Sequence, residues 1–568
     1  MRLKLLSTAL LGGVVMLVGC GGGDSGTTFI DPTASNVQVS ITDDYQVESL
    51  GSESTINTMV SLGNAPKSLY LVLSNNATTS AIAMITHNAK VVAAAQTKTI
   101  SPTVFAKKSR ILHHPQYVQD FNSQMGTLLS KAEENKPQAK TIAPVERRED
   151  SVEDQTSFCL NINQQTGNCT ETTMATSKKV VSDIPTAFGN KTLNIWVSND
   201  SFEGNCTKSK CVTQAMVDEL AVAFLLKDSL DNDIYDWVTN IYGEEWGSAA
   251  QAKYSYLIPE SNEITILLTD IDGDDSPNGG VVGFFWSKDN FDKTKFAGSN
   301  ERVMFYIDSV MFANGDDVWD IDDYWPKELI STLAHEFQHM IHFYQKTILL
   351  ANDNTDTWID EMLSESTEDL VATKIRHTGP RGVSYLDGSA GDPGITDGRY
   401  PLFNENNTLS LTTWNNELAD YSKVNAFGAY LLRNYGGAKL FHDIMYNAYV
   451  DEKAVVDAVN RSPEGSGKKF ADLLSEWGVA VILSDHENLV DVPFYNTGDF
   501  TPSTYNNITY ELGSINFFNY IPLPRIHTNS GVVEAQGNYY YKIGDNLIGD
   551  IDINLELNGQ TEATLIAK

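Results

Sequence analysis

The chain has 568 residues, a formal net charge of −34 at pH 7 and a sequence pI near 4.5. With no basic stripe to neutralise phosphates, that charge argues against nucleic acid as a partner. It fits solubility at a cell surface and says little about substrate, and the length calls for more than one domain.

At the N-terminus, Arg2 and Lys4 precede an apolar run from Leu5 to Gly19. The run is shorter than the roughly 18 residues a spanning helix needs, so residues 1–19 read as a signal peptide. Leu17-Val18-Gly19-Cys20 resembles a bacterial lipobox. Cleavage before Cys20 would leave that cysteine for lipidation, followed by a Gly-rich tether over 20–36. Cysteine parity agrees: without Cys20, the remaining Cys159, Cys169, Cys206 and Cys211 can form two bridges. Of three connectivities the local pairs, Cys159–Cys169 and Cys206–Cys211, are favoured. A zinc site built from these four has no CxxC spacing behind it. The expected location is the bacterial cell envelope, exported and lipid-anchored, at the outer membrane or cell surface.

Residues 37–100 alternate in strand fashion and predict a small β-domain. Residues 101–157 combine a helix around Val118 to Lys131 with a Lys/Glu/Pro-rich stretch, and read as a linker or propeptide-like segment. Strands around Leu193–Val197, Ile264–Leu268 and Val303–Ile307, then helices through about Leu483, predict an α+β domain over 158–490. Alternation returns in the tail, so 491–568 is expected to be a C-terminal β-domain.

The strongest chemical signal is His335-Glu336-Phe337-Gln338-His339, an HExxH pattern. Residues four apart on a helix share a face, so both His can reach one metal ion while Glu336 stands beside a metal-bound water as general base. Acids and Pro326 before the motif suit a first helical turn, and Leu329, Ile330, Leu333, Ala334, Phe337, Met340 and Ile341 recur at helical spacing. His342 falls on the same face but about 10 Å along the axis from His335, too far to share a tetrahedral ion. It reads as a supporting or structural residue.

A catalytic zinc needs a third protein ligand and an open position. A second helix, with Asp356 or Thr357 at its start, carries Glu361, Glu365 and Glu368 at i, i+4 and i+7. That acidic face either meets a cation or is simply solvated.

The HExxH helix followed by Trp358-Ile359-Asp360-Glu361 resembles the gluzincin clan of zinc peptidases. Ile266–Asp270, Ser299–Asp308, Leu333–Phe343 and Trp358–Leu370 resemble, more narrowly, the hyicolysin family of secreted bacterial metallopeptidases. The resemblance spans roughly residues 155 to 490. It implies a zincin-type metallopeptidase fold for 158–490, with His335, His339 and Glu361 as zinc ligands, Glu336 as base, and Glu365, one turn after the ligand glutamate, as the acid that orients a zinc-binding His. At the third ligand the family more often has Asn-Glu-Gly, where this chain has Asp360-Glu361-Met362. Tyr421-Ser422-Lys423 resembles the Tyr-x-Lys segment whose tyrosine stabilises the oxyanion, with His377 and Tyr430 as rivals for that role.

Asp270, Asp272 and Asp274 form an acidic loop that could bind calcium, although it lacks EF-hand spacing. The favoured function is a lipid-anchored zinc metalloendopeptidase acting on extracellular or periplasmic proteins. The alternative is a non-catalytic surface binding lipoprotein with a structural metal. Nothing resembles the Gly-x-Met-x-Asn motif of an aminopeptidase.

Overall fold

The computed structural model describes residues 34–89, 111–112, 114–134, 149–227, 229–350, 354–378, 382–391, 393–396 and 398–568. Its centre is a six-stranded sheet in the order Gly283–Phe285, Met304–Asp308, Glu263–Thr269, Gly189–Ser198, Cys169–Thr186, Gln155–Ile162. The strands Gly189–Ser198, Glu263–Thr269 and Met304–Asp308 run parallel and are buried along most of their length, because both faces of this part of the sheet are covered. Gly283–Phe285 pairs antiparallel with Met304–Asp308 and forms the sheet edge.

Against this sheet lies the helix Tyr324–His342, hereafter the His helix. Asp323 precedes it and Pro326 sits in its first turn, where a missing N–H leaves no intrahelical bond unmade. The helix Thr357–Val371, the Glu helix, packs on it and begins just after Asp356. Leu418–Asn434 in turn packs on the Glu helix. Gly428 permits that approach, since a Cβ there would collide with Ser366 Oγ. One continuous apolar core joins the sheet to these helices and to Phe470–Ile482.

The alternating stretches at the two ends, read from sequence as two separate β-domains, share their sheets. Ala34–Ser40, Thr55–Ser61, Asp550–Leu557, Ala81–His87 and Gly531–Val533 form one sheet in that order, and Gly537–Leu547, Lys67–Asn75, Thr561–Ala567 and Gln46–Gly51 form the other. Neither set can bury its apolar face alone; together they enclose a second core that includes Ile56, Val60, Leu71, Leu73, Ile553 and Leu565. The preceding hairpin, Thr501–Tyr505 with Ile508–Leu512, belongs to the main core instead.

The segment expected to be a linker is also part of the fold where it is described. In place of one helix it has two, Gln116–Asn122 and Met125–Glu134, and Val118, Phe121, Met125 and Leu129 are buried in the main core. Cys159–Cys169 and Cys206–Cys211 are the disulfides, as favoured from the spacing. Among the described residues no helix is long and apolar enough to cross a membrane. The signal peptide, Cys20 and the Gly-rich tether lie outside the described residues.

Candidate metal centre

His335 and His339 are buried one turn apart on the His helix, with their Nε2 atoms 3.1 Å from each other. Packing of the Glu helix brings Glu361 Oε2 to 3.4 Å from His335 Nε2 and 3.5 Å from His339 Nε2. Donors around one tetrahedral zinc, at bond lengths of about 2.0–2.2 Å, stand about 3.3 Å apart, so these three atoms have the spacing of a single ion. Glu361 Oε2 is buried without a hydrogen bond of normal geometry, a costly state for a carboxylate unless a cation meets it. Nitrogen and oxygen donors of this kind fit zinc.

A fourth side chain joins them from the expected linker. His114 Nε2 is 3.0 Å from His339 Nε2 and 3.6 Å from Glu361 Oε1, and the ligand atoms of His114, His335, His339 and Glu361 lie within 4.8 Å of one another. Sequence reasoning missed His114. The signal available was a His113-His114 pair in an otherwise unremarked stretch.

The far nitrogens of the imidazoles are held by carboxylates. His335 Nδ1 lies 3.0 Å from Glu368 Oε1, whose Oε2 accepts from Ser331 Oγ at 2.8 Å. His339 Nδ1 lies 3.1 Å from Asp360 Oδ1, which His342 Nδ1 also approaches at 3.3 Å, both as ion-pair contacts without the geometry of a normal hydrogen bond. A carboxylate at Nδ1 fixes the tautomer and ring angle and turns the Nε2 lone pair inward.

This corrects the expectation for Glu365. Its carboxylate takes Arg399 Nε at 3.0 and 3.1 Å and Asn425 Nδ2 at 2.8 Å, and it is Glu368 that holds His335. Both positions share one helix face with Glu361; which of them meets the imidazole depends on how the two helices pack. The acidic face is not solvated: Glu361, Glu365 and Glu368 are 2%, 1% and 4% exposed.

Glu336 is fully buried beside the ligands. Its Oε2 accepts from the Phe285 N–H at 2.8 Å and its Oε1 has no hydrogen-bond partner. Burial pushes its carboxyl up to about 7, against the pull of His335 and His339. Although burial works against charge on the imidazoles, Glu361 and Glu368 raise His335 to about 9, and Asp360 and Glu361 raise His339 well above its ordinary value. Burial opposes the Glu361 carboxylate, yet His114 and His339 hold it well below its usual range. This much negative charge around inward-facing nitrogens favours a divalent cation.

Tyr421 lies on Leu418–Asn434 and is fully buried, with the Arg399 guanidinium 5.4 Å from its ring and its hydroxyl donating to Asn416 Oδ1 at 3.2 Å. Burial, then the charge of Glu361, raises its phenol well above the ordinary value. The rivals have other partners. Tyr430 hydrogen-bonds Tyr435 and Glu476, and His377 Nε2 lies 3.0 Å from Glu328.

The acidic loop does not assemble as a calcium site. Asp270 Oδ2 is 2.7 Å from Lys208 Nζ, Asp274 Oδ1 accepts from Ser276 N–H, and Asp272 is exposed. Among the described residues, the metal-type clusters are the four-residue site above and the adjoining His335, Glu365 and Glu368. A lysine ammonium already meets the most buried of the three aspartates.

A buried HExxH helix joined by a glutamate from a second helix is an arrangement that fits a zincin-like metal centre. The chain belongs to the peptidase M30 family, whose model matches residues 172–488, more than half of it. It is 24% identical over 281 residues to the neutral metalloprotease ShpI of Staphylococcus hyicus, a match covering 48% of this chain and 53% of that protein. The chain thus spans about half the length of this curated relative. A solved structure of a two-domain M1 zinc metallopeptidase mutant bound to L-arginine is 12% identical, with a TM-score of 0.26, over 56% of this chain and 53% of that one.

Proposed function

We propose that the protein is a zinc metalloendopeptidase of hyicolysin type, with the metal held by His335, His339 and Glu361. One observation carries the reading: two imidazole nitrogens and a carboxylate oxygen stand 3.1–3.5 Å apart, and Glu336, which has no place among them, lies buried alongside. When bound there, zinc supplies Lewis acidity, polarising a carbonyl and lowering the pKa of a water.

The chain's own groups account for the remaining steps. Glu336 takes a proton from the attacking water and passes it to the leaving amine. The Phe285 N–H holds one of its oxygens and leaves Oε1 for the water. Gly283–Phe285 is a sheet edge beside that base, so an extended peptide pairing with it brings a carbonyl to the centre. Tyr421 is the candidate donor to the oxyanion, its hydroxyl leaving Asn416 as it turns inward.

His114 is the observation that favours the second reading, a non-catalytic surface binding lipoprotein, because four protein ligands are the mark of a structural zinc. A buried carboxylate that ligates nothing has no use in such a site, and Glu336 therefore favours the enzyme. The test is elemental analysis followed by cleavage of a denatured protein with and without a chelator. One zinc per chain and chelator-sensitive cleavage are expected; a zinc-free chain, or cleavage indifferent to chelation, overturns the reading.

The proposed setting is the cell envelope, with Cys20 lipidated and the substrates extracellular or periplasmic proteins. The pattern Leu17-Val18-Gly19-Cys20 supports it, and Gly21 rather than Asp after the cysteine fits outer-membrane sorting in a two-membrane bacterium. A thioether-linked diacylglycerol with an N-acyl chain anchors more firmly than a single acyl chain, so salt should fail to release the protein. Intact-mass analysis should find the mature protein beginning at a modified Cys20. An unmodified cysteine in a membrane-free fraction refutes the anchor.

A further inference from the structure

The site-facing surface of the segment Ile111–Glu134 repeats what a bound peptide does. Ile111–Leu112 pair in parallel with Gly280–Val281, just before the edge strand Gly283–Phe285. Two residues later His114 Nε2 stands 3.0 Å from His339 Nε2, with its Nδ1 3.9 Å from Glu336 Oε2. Gln119 then donates to Glu361 Oε1 at 3.1 Å. Asn122 closes the row: its Nδ2 donates to Phe285 O at 2.8 Å, and its Oδ1 accepts from Ser287 N–H at 3.0 Å and Ser287 Oγ at 2.7 Å. A single side-chain amide thus meets the carbonyl and N–H that the continuing edge offers to an incoming backbone.

The segment is anchored as well as inserted. Val118 and Phe121 are buried in the main core, and Tyr256 donates its hydroxyl to Leu129 O at 2.9 Å. The cavity left beside His114, His339 and Glu361 is about 50 Å³, room for a few waters and not for a peptide. The segment also precedes residues 172–488, the part of the chain that matches the family model.

We infer that Ile111–Glu134 is a built-in plug that holds down the activity of the intact chain, with His114 filling the fourth position round the metal and Asn122 covering the substrate edge. The inference rests on the metallopeptidase reading above. It gives the two readings of His114 a common basis, since a site closed to water by a removable ligand is structural in the intact chain and catalytic once that ligand withdraws. The fold permits withdrawal: His335 is held by Glu368 and His339 faces Asp360, neither of which the plug supplies, and the plug's bond to the ligand carboxylate, Gln119 to Glu361 Oε1, leaves Glu361 Oε2 with the two imidazoles.

The experiment uses the full chain loaded with Co²⁺ in place of zinc, as wild type, His114→Ala and Asn122→Ala. Acetohydroxamate, a small bidentate metal ligand, is titrated while the visible Co²⁺ absorption is followed. His114→Ala should retain one Co²⁺ and bind hydroxamate at least tenfold more tightly than wild type, and its cleavage of a denatured protein should rise by a similar factor. Asn122→Ala keeps His114 and should shift hydroxamate binding in the same direction by less, which preserves the test if the first variant does not fold. Equal hydroxamate affinity in wild type and either folded variant refutes the plug while leaving the metal centre standing. Loss of Co²⁺ from a folded His114→Ala makes His114 a permanent ligand and also refutes it. A wild-type chain that takes up no Co²⁺ refutes the metallopeptidase reading, and the plug with it.

Discussion

Glu361 and Glu368, seven residues apart on one helix, meet opposite nitrogens of the same imidazole. Glu361 Oε2 lies 3.4 Å from His335 Nε2 and Glu368 Oε1 lies 3.0 Å from its Nδ1. The Glu helix therefore supplies both a ligand-type oxygen and the group that aims a ligand nitrogen. Asp360, next to Glu361 in sequence, does the second job for His339. Two helices in contact carry most of the site, and their separate contributions can be told apart by substitution.

Glu361→Ala and Glu336→Gln should part company. In a His114→Ala background, where only two imidazoles would remain, removing Glu361 leaves an incomplete donor set, so the zinc should be lost at neutral pH. Glu336→Gln is nearly isosteric and removes no ligand, so zinc should stay while peptidase activity falls roughly a hundredfold or more. Zinc retained in full by Glu361→Ala in that background, read by elemental analysis, would move the third ligand elsewhere. Near-normal turnover in metallated Glu336→Gln would remove the base.

Glu368→Ala and Glu365→Gln make a second contrast. Without Glu368, His335 loses the partner of its Nδ1, and metal affinity should weaken by about 10–100-fold. Glu365→Gln leaves Arg399 buried without its ion-pair partner and should cost roughly 3–5 kcal/mol of stability with little effect on metal affinity. Chelator competition and denaturant titration read the two effects; a reversed pattern would restore Glu365 as the orienting acid.

Tyr421→Phe keeps the ring between Trp414 and Arg399 and deletes one hydroxyl. If that hydroxyl meets the oxyanion, kcat should drop by roughly a hundredfold with KM and zinc content little changed. The comparison is best made in a His114→Ala background, where the site is expected to be open. Unchanged kcat would leave Tyr421 as a packing residue hydrogen-bonded to Asn416.

Asp308 should give the fold a pH dependence of its own. Burial pushes its carboxyl up to about 8, Asp270 and Asp274 add to the shift, and the N–H groups of Met311 and Ile271 oppose it. An unfolded aspartate titrates near about 3.9, so between these values the folded chain holds a proton that the unfolded chain has lost. The stabilising contribution is complete below about pH 4 and disappears as pH rises through about 8. Urea midpoints should accordingly fall between about pH 4 and 8, with a shallower slope in Asp308→Asn. The same slope in both proteins would assign the dependence to other groups.

Local pattern was enough to place His335, Glu336 and His339 on a helix and Glu361 on the next, because helical periodicity puts residues four apart on one face wherever the helix lies. Strand alternation likewise marked both ends of the chain as β-structure, and short-range spacing favoured the two disulfides. Tertiary packing decided the rest. It selected Glu368 over Glu365 as the partner of His335, since two residues of one helix face are distinguished only by what stands opposite. It merged the end strands into one sandwich, because each set needs the other to cover its apolar face. It also carried His114 more than two hundred residues along the chain to His339, a contact with no trace in local sequence, whose neighbours set only its backbone and not its distant partners.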